Sequence, residues 1–161
     1  TDLPDPKRDA GSTGPAVREV TEYLEDPAFM ARYLTVNEAA FGYRDSPGEL
    51  LFRIRHCKGR VFAASEAGTD PADRGRSYVS VWPIDDRTAA TENIFCDPAY
   101  QRQGYTEGLL GTVLQMLAAE GFSAARLNVY EEDAPAIALY EKLGYRKLYR
   151  LYELHGGDGG P

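Results

Sequence analysis

The stretch "NIFCDPAYQRQGYTEGLL", residues 93–110, decides the fold, because it joins a β-rich segment to a helical one. The dipeptide Asp97-Pro98 interrupts any strand after Cys96, and Gly104 lies where the turn enters the helix. The first backbone N–H groups of that helix have no helical partner and lie at the positive end of the helix dipole. The stretch therefore predicts a site that can bind an anion such as a phosphate.

The residues around the glycine fit a phosphate, but not a site that hydrolyses nucleoside triphosphates. Gly104 lets an anion approach the backbone without a Cβ in the way, while Arg102 or Gln103 adds a charge or a side-chain donor. The lysine of a P-loop is absent, and the helix entry is too short for that motif. Taken alone, the stretch fits two structures equally: a pyrophosphate-binding turn, or an ordinary turn that needs glycine for a positive φ.

Length and composition predict a single domain. The chain has 161 residues, 43% of them hydrophobic, which suffices for one core and is too little for two. A formal net charge of −7 disfavours nucleic acid and anionic membranes as partners and favours a cationic or amine-bearing substrate. Cys57 and Cys96 are expected to be buried and reduced, which indicates a cytoplasmic protein. No apolar run approaches the ~20 residues of a membrane-spanning helix.

The two ends of the chain differ in composition from the rest. Residues 1–15 are rich in proline, glycine and polar residues, as in a linker, and residues 155–161 are similar. We therefore expect a linker-like segment over 1–15, one domain over 16–154 and a flexible tail over 155–161. Two interpretations stay open: a domain cut from a longer polypeptide or carrying unstructured ends, and a processed start with a short tail.

Hydrophobic spacing predicts two helices after a short first strand. Residues 16–20 alternate briefly, which fits a strand or the approach to a helix. Asp26 precedes a helix that has an apolar face and ends at Gly42. The sequence "SPGE" (46–49) is a capping box that opens a second helix, closed near Gly59.

The second half of the chain alternates strands and helices. Its predicted elements are strands at 60–65, 77–83, 91–96, 124–130 and 145–154, a helix at 106–120, and a helix from its N-cap Asp133 to Gly144. The first three strands have hairpin-length connections, which predicts an antiparallel meander. The helix at 106–120 joins two strands that are expected to lie parallel. This order indicates an α+β fold with α/β/α layers.

A second motif, "LNVYEEDAPAIALYEKLGY" at residues 127–145, makes the pattern specific. Together with residues 93–110 it resembles the GNAT superfamily of acyl-CoA-dependent N-acetyltransferases, and the resemblance covers about residues 60–150. It implies a mixed, mostly antiparallel sheet splayed into a V and flanked by four helices. The residues in register with the motifs of that family are Gln101, Gly104, Ala136, Leu139, Tyr140, Gly144 and Tyr145.

The chain departs from the family pattern in three places. Thr106 stands where glycine or alanine is usual, so the approach of a phosphate to that amide is expected to be more crowded. Asp133 stands where asparagine usually contacts the pantetheine, and it keeps an acceptor but loses the donor. The segment 145–154 has room for one long or bent strand where the family usually has two, so a last strand is either missing or supplied from outside.

The resemblance implies acetyl-CoA as co-substrate, lying in a V between the strands 91–96 and 124–130, which part because the first strand contains a bulge. Backbone groups of one strand would pair with the pantetheine, and the turn at 101–106 would hold the pyrophosphate. The acetyl group would pass directly to an amine, with no covalent acyl-enzyme. The predicted cofactor-binding residues are Ile94, Phe95, Cys96, Gln101, Arg102, Gln103, Gly104, Tyr105, Thr106 and Asp133.

Two residues are candidates for proton transfer. Tyr140 matches the usual general acid of the family, although a tyrosine at this helical spacing could also be a core residue. Glu92 is a candidate general base, acting directly or through water, and could equally be a solvent-facing strand residue. Asn128 stands where some protein N-terminal acetyltransferases carry a glutamate base, so that mechanism is not supported.

Other reactive side chains have no suitable partners in the sequence. Cys96 is a poor candidate nucleophile, because no histidine lies nearby to lower its pKa. His56 and His155 have no partners at ligand spacing, so no metal site is predicted.

Acceptor choice is expected to depend on the loops 41–48 and 82–89. Asp45, Asp85 and Asp86 could receive a cation there, or be solvated surface acids. The leading hypothesis is an N-acetyltransferase that acts on a primary amine of a small molecule or peptide, as a monomer, a dimer or part of a fusion. The alternatives are a CoA-binding domain without transfer activity, serving as a sensor or as half of a longer protein, and an enzyme that uses another acyl-CoA.

Overall fold

The computed structural model describes residues 14–150 of the chain. Most of the predicted linker and all of the predicted tail therefore lie outside the described residues. The strands are β1 (Ala16–Glu19), β2 (Arg60–Ser65), β3 (Ser77–Pro83), β4 (Thr88–Cys96) and β5 (Ala124–Arg126). The α-helices are α1 (Pro27–Phe41), α2 (Pro47–His56), α3 (Pro71–Arg74), α4 (Tyr105–Ala119) and α5 (Ala134–Lys142). Short 3-10 helices cover Thr21–Tyr23 and Pro98–Tyr100.

The five strands form one sheet in the order β1-β2-β3-β4-β5. Neighbouring strands from β1 to β4 pair antiparallel, while β4 and β5 pair parallel. The connection between β4 and β5 contains α4, as a parallel pair requires a crossover. The sheet is therefore mixed and mostly antiparallel, which confirms the predicted fold class.

Alternation along the strands gives the sheet two buried faces. On β2, Val61 packs in a cluster with Tyr33 of α1, whereas the next residue, Phe62, packs with Leu109 of α4. All four side chains are at most 1% exposed. Helices α1 and α2 therefore cover one face of the sheet and α4 the other, which are the expected α/β/α layers.

The first predicted helix is confirmed at both ends, and the second begins where predicted, with Ser46 at its N-cap position, but without the capping box. The Asp26 carboxylate accepts the Ala28 amide at 2.9 Å, and Gly42 ends α1 with a φ of 78°. The capping box at 46–49 was a wrong prediction, because the Ser46 side chain makes no cap hydrogen bond. The Glu49 carboxylate instead accepts from Arg53 at 3.3 Å, one turn further along α2. This helix ends at His56, short of the predicted end.

The strands around the crossover differ in length from the prediction. β4 begins at Thr88 rather than residue 91, and β5 ends at Arg126 rather than residue 130. Residues 145–150 form no strand, and the rest of the predicted strand 145–154 lies outside the described residues. Alternating apolar residues show that a segment fits a strand, but pairing also needs a neighbouring strand, and the pairing of β5 with β4 ends at Arg126 and Ala90.

Two local features were predicted wrongly or missed. Cys57 is exposed rather than buried, because it follows the last turn of α2, while Cys96 is half-buried and both thiols are free. The four-residue helix α3 was not predicted, since it is too short for an apolar stripe. Its N-cap is the Asp70 carboxylate, which accepts the Ala72 amide at 3.0 Å.

Candidate active site

A β-bulge interrupts β4 at Asn93 and Ile94. These two residues together face a single residue of β3, Val79, because the register shifts there. Asn93 has a φ of 52°, in the left-handed region that asparagine tolerates. Its side-chain amide donates to the phenol oxygen of Tyr33 at 2.9 Å, so α1 holds the bulge from one face of the sheet.

Beyond Ala90, β4 and β5 separate. The last paired residues are Ala90 and Arg126, and the next residue, Thr91, donates its hydroxyl to the Arg126 carbonyl at 3.2 Å. The same hydroxyl lies 2.9 Å from the phenol oxygen of Tyr145, in a fully buried contact. These contacts close the apex of a V whose arms are residues 92–96 and 127–130.

The backbone of β4 alternates between β3 and the opening of the V. The Asp97 amide donates to the Arg76 carbonyl at 2.7 Å, so the N–H and C=O of the preceding residue, Cys96, point away from β3. By the same alternation Phe95 presents its backbone to β3, and its carbonyl also accepts the Ser77 hydroxyl at 3.1 Å. Of the residues predicted to contact a pantetheine, Cys96 thus faces the opening, while Ile94 lies in the bulge.

The turn at residues 101–106 leads from the end of β4 into α4. Gly104 is the N-cap of α4, with a φ of 88° and no side-chain cap, and a Cβ there would meet nothing within 4 Å. Residues 101–104 are exposed, and Arg102 also has a positive φ, 62°. The first helical hydrogen bond runs from the Gly108 amide to the Gly104 carbonyl, so the amides of Tyr105 and Thr106 have no helical partner. The predicted residues therefore form one turn with an open helix N-terminus. They are Gln101, Arg102, Gln103, Gly104, Tyr105 and Thr106.

The Thr106 side chain is held against the sheet. Its hydroxyl lies 2.8 Å from the hydroxyl of Ser77, a fully buried residue at the start of β3. This contact orients the threonine hydroxyl toward β3. It also gives the departure from the family pattern at Thr106 a structural partner.

Helix α5 carries Asp133 at its N-cap and Tyr140 in its second half. The Asp133 carboxylate caps the helix by accepting the Ala136 amide at 3.2 Å. Tyr140 is half-buried, and its ring packs edge-on against Tyr145 with centroids 5.9 Å apart. Burial, followed by the Asp133 and Tyr145 charges, raises the pKa of Tyr140 to about 12. The phenol therefore keeps its proton at neutral pH and can serve as a donor.

A cleft of about 210 Å³ opens between α2 and the strands β3 and β4. Glu92 lines it, and burial raises the pKa of this carboxyl group, partly opposed by Arg53. Glu92 is therefore half-buried at a partly open cleft between α2 and the sheet rather than on a fully exposed strand face. The residues around the cleft are Asp45, Ser46, Glu49, Leu50, Arg53, Ser80, Trp82, Glu92 and Asn93.

The three aspartates proposed to receive a cation separate into two groups. Asp45 lines the cleft, where its carboxylate accepts from the buried Asn37 side chain at 2.8 Å. Asp85 and Asp86 are exposed in the β3–β4 hairpin. Asp85 there accepts the amides of Arg87 and Thr88, and these bonds lower its pKa. Only Asp45 belongs to the cleft.

The remaining reactive residues add no second centre. Burial raises the pKa of the Cys96 thiol, which disfavours the nucleophilic thiolate. Asn128 is exposed on an arm of the V. His56 packs against the ring of Phe52, and His155 lies outside the described residues. Within residues 14–150, no group of three or more His, Cys, Asp or Glu side chains could hold a metal ion.

Several residues that shape the site carry no sequence signal. Ser77 and Thr91 fix the neighbourhood of β4 through their hydroxyls, and Tyr33 anchors the bulge. Each lies in a run of β-branched, small or aromatic residues that fits an ordinary core. The alternation of Thr91 with Ala90 would predict only its face of the sheet, not its partner.

The sequence model described as "Acetyltransferase (GNAT) family" matches residues 19–145, which contain the bulge, the turn and α5. The chain belongs to the GNAT acetyltransferase family. The two motifs predicted this membership. None of the helices over residues 14–150 is long and apolar enough to cross a membrane.

Curated relatives match this GNAT chain over short segments. The [Ribosomal protein bS18]-alanine N-acetyltransferase of Escherichia coli K12 is 44% identical over 55 residues, 34% of this chain and 37% of the relative. Human N-acetyltransferase 8 is 32% identical over 74 residues, 43% of this chain and 33% of the relative. The matches thus span about a third of the length of these proteins.

Solved GNAT structures match over most of the chain. The ribosomal-protein-S18-alanine N-acetyltransferase from Escherichia coli has a TM-score of 0.69 at 24% identity, covering 84% of this chain and 79% of the other. An aminoglycoside acetyltransferase from an uncultured soil metagenomic sample has a TM-score of 0.67 at 14% identity, covering 88% and 97%. At these identities the likeness concerns the fold.

Proposed function

We propose that this acetyltransferase moves an acetyl group from acetyl-CoA directly to a primary amine of a small molecule or peptide, within a ternary complex. One observation carries the proposal. The β4 bulge stands between an anion-binding turn at the end of the strand and an acidic cleft on the α2 side. An acyl donor and an amine acceptor could thus meet at one strand.

The turn and the V have the features that a CoA thioester requires. The open amides of Tyr105 and Thr106 suit the diphosphate, and Gly104 leaves them accessible because it has no Cβ. The N–H and C=O of Cys96, which point into the V, suit the amide groups of the pantetheine arm. Arg102 adds a positive charge beside the turn. Asp133 offers a carboxylate at the α5 N-cap, where it would accept a hydrogen bond from the pantetheine.

Acetyl-CoA, when bound, supplies an activated acetyl thioester. Glu92 would accept a proton from the acceptor ammonium, directly or through water, and its raised pKa matches that task. The free amine then forms the C–N bond as the C–S bond breaks. Tyr140, protonated at neutral pH, would give its phenolic proton to the departing sulfur atom. The nitrogen of the new C–N bond would then lose its second proton to the Tyr140 phenolate, directly or through water, and Glu92 would return its proton to the solvent.

The cleft favours a cationic acceptor. Three carboxylates, those of Asp45, Glu49 and Glu92, line it with one arginine, Arg53. Arg53 is already paired with Glu49 at 3.3 Å and stacked on Trp82, with its guanidinium 4.7 Å from the ring centroid. The remaining negative charge would attract an ammonium group. A volume of about 210 Å³ admits the amine-bearing end of an acceptor rather than a folded domain.

The named activities of the relatives give two acceptor classes to compare. One relative acts on the alanine of ribosomal protein bS18, and one structural neighbour is an aminoglycoside acetyltransferase. We propose that the acceptor panel contain peptides with N-terminal alanine, lysine-containing peptides, aminoglycosides and small diamines. The acidic cleft favours the members with more than one positive charge.

Release of the free CoA thiol from acetyl-CoA over this panel tests the proposal. The proposal expects release that depends on the amine and on time. Binding of CoA without release by any amine would instead favour the alternative, a CoA-binding domain that acts as a sensor or as half of a longer protein. Parallel reactions with propionyl-CoA and succinyl-CoA test whether acetyl is the preferred acyl group.

A further inference from the structure

The turn proposed to hold the diphosphate has little support of its own. Residues 101–104 are exposed, and two of them, Arg102 and Gly104, have positive φ values of 62° and 88°. The N-cap of α4 makes no side-chain hydrogen bond. Whatever fixes the direction of the amides at the helix start must therefore act from the flanks of the turn.

Arg76, the residue before β3, contacts both flanks. Its guanidinium lies 3.9 Å from the ring centroid of Tyr100, before the turn, and 5.1 Å from that of Tyr105, the first residue of α4. It also donates to the Tyr105 phenol and pairs with Glu66 at 3.3 Å. The side chain is only 20% exposed, so these contacts are largely shielded from solvent.

Ser77, the next residue, contacts both β4 and the start of α4. Its hydroxyl donates to the Phe95 carbonyl at 3.1 Å and lies 2.8 Å from the Thr106 hydroxyl. A serine hydroxyl has one proton, so the Thr106 hydroxyl donates to Ser77 in this arrangement. Ser77 thereby connects β4, just after the bulge, to the second residue of α4. The main chain adds a further connection, because the Asp97 amide donates to the Arg76 carbonyl at 2.7 Å.

We propose that Arg76 and Ser77 are positioning residues for the diphosphate of CoA: they hold the turn between β4 and α4 in the shape that directs its amides outward. The inference rests on the proposed function and adds two residues outside the motifs that the family pattern contains. It also explains Thr106, whose hydroxyl is the partner of Ser77.

The physical reason is that a helix N-terminus binds an anion only with correctly directed amides. A turn with two left-handed residues has several alternative conformations once its flanks are released. Arg76 lies between two aromatic rings that bracket the turn, so its removal frees both flanks together. Its charge lies on the same side of α4 as the positive end of the helix dipole and adds to the attraction for an anion.

Calorimetric titration with CoA, and with pantetheine as a probe that lacks the diphosphate, tests the inference. For Arg76→Ala we expect about 10-fold weaker CoA binding, the size of effect that a displaced supporting residue produces. Arg76→Lys keeps the charge but not the planar stacking, so its affinity for CoA should lie between those of the wild type and Arg76→Ala. Pantetheine binding should change less than twofold, because its contacts lie in the V.

Tyr105→Phe and Thr106→Val keep the shape of each side chain and remove one hydroxyl. They maintain the test if Arg76→Ala does not fold, and each should weaken CoA binding about threefold, as the loss of one hydrogen bond predicts. Arg74→Ala, at an exposed arginine of α3, is the matched control and should leave both affinities unchanged.

The outcomes separate the two proposals. If wild-type protein does not bind CoA, the proposed function fails and this inference fails with it. If wild-type protein binds CoA, but folded Arg76→Ala and Tyr105→Phe bind it within twofold of wild type, only the positioning role is wrong. An equal loss of CoA and pantetheine affinity would also overturn it, because it would show a general effect on the fold.

Discussion

The two sides of the β4 bulge differ in how they are built. The turn at 97–106 offers backbone amides to a ligand, whereas the cleft beside α2 offers side chains from this helix, from the loop before it and from two strands. Backbone recognition requires a glycine at a fixed place and leaves a readable motif. Side-chain recognition uses residues that are far apart in sequence, from Asp45 to Asn93, and so produces no local sequence motif. The proposed donor site can therefore be located from the sequence, and the proposed acceptor site only from the fold.

Steady-state kinetics of variants test this division between a donor side, the turn at 97–106, and an acceptor side, the cleft beside α2. A change on the donor side should alter the KM for acetyl-CoA, and one on the acceptor side should alter the KM for the amine. A change at Tyr140 should lower kcat and leave both KM values nearly unchanged, whereas a change at Glu92, which also lines the cleft, should lower kcat and raise the KM for the amine. A variant of the turn that changed only the KM for the amine, or a variant of the cleft that changed only the KM for acetyl-CoA, would contradict the division.

The largest effect is expected for Tyr140→Phe. The substitution removes the proton proposed for the departing sulfur, so kcat should fall about 100-fold or more, as for the loss of a general acid. The KM for acetyl-CoA should stay within twofold. Tyr149→Phe, at a tyrosine that is 62% exposed, is the control and should have wild-type kcat. A kcat for Tyr140→Phe within threefold of wild type would exclude Tyr140 as the acid.

Glu92→Gln should lower kcat roughly 10- to 100-fold, because the base is lost. It should also stabilise the fold. Burial raises the pKa of Glu92 in the folded state, so the folded protein loses stability as the pH rises above the unfolded pKa and this carboxyl group ionises. Glutamine carries no such charge.

Melting curves of Glu92→Gln from pH 4 to pH 8 check that sign. The variant should melt higher than wild type at neutral pH, and the difference should shrink toward acid pH. Glu132→Gln, at an exposed position, is the control and should show neither effect. A variant that melts lower than wild type at pH 7 would contradict the burial argument.

Gly104→Ala should raise the KM for acetyl-CoA about 10-fold, since a side chain at a φ of 88° costs ~1–2 kcal/mol or reshapes the turn. The matched control is Gly111→Ala, within α4, where a Cβ also meets nothing within 4 Å. That change should leave KM unaltered and stabilise the protein by about 1 kcal/mol. Equal KM values for the two variants would remove Gly104 from the donor side.

The smallest effect is expected on the acceptor side. Asp45→Asn should raise the KM for a cationic amine about threefold, the size expected for one partly exposed charge. It should leave the KM for acetyl-CoA unchanged. Asp86→Asn, in the exposed hairpin, should change neither value. A larger effect at Asp86 than at Asp45 would place the acceptor outside the cleft.

What the sequence could predict follows the same division. Asp26 and Asp133 cap their helices as predicted, and the strands at 60–65 and 77–83 have the predicted bounds, because local patterns determine them. The family motifs correctly predicted a bulge in β4. The failures are the side-chain hydrogen bond of the capping box at Ser46, the length of β5 and the burial of Cys57, each of which depends on what lies beside the residue.

Long-range side-chain contacts could not be predicted. Asn93 meets Tyr33 across 60 positions, and Thr91 meets Tyr145 across 54, so neither pair shares a local pattern. The orientation of Glu92 was open in the sequence because alternation does not show which face of β4 is covered. In the structure Glu92 lies at the cleft between α2 and the strands β3 and β4, which shows that it faces the α2 side.

Calorimetric titration of the wild-type protein with acetyl-CoA, in the absence of any amine, tests whether the turn holds the acyl donor. We expect one saturable site with free pyrophosphate as a competitor, since the turn is proposed to recognise the diphosphate through its amides. We also expect about 10-fold weaker binding by Gly104→Ala, a loss of ~1.4 kcal/mol. No detectable heat at millimolar acetyl-CoA, or equal affinity in wild type and Gly104→Ala, would contradict the claim that this turn holds the donor.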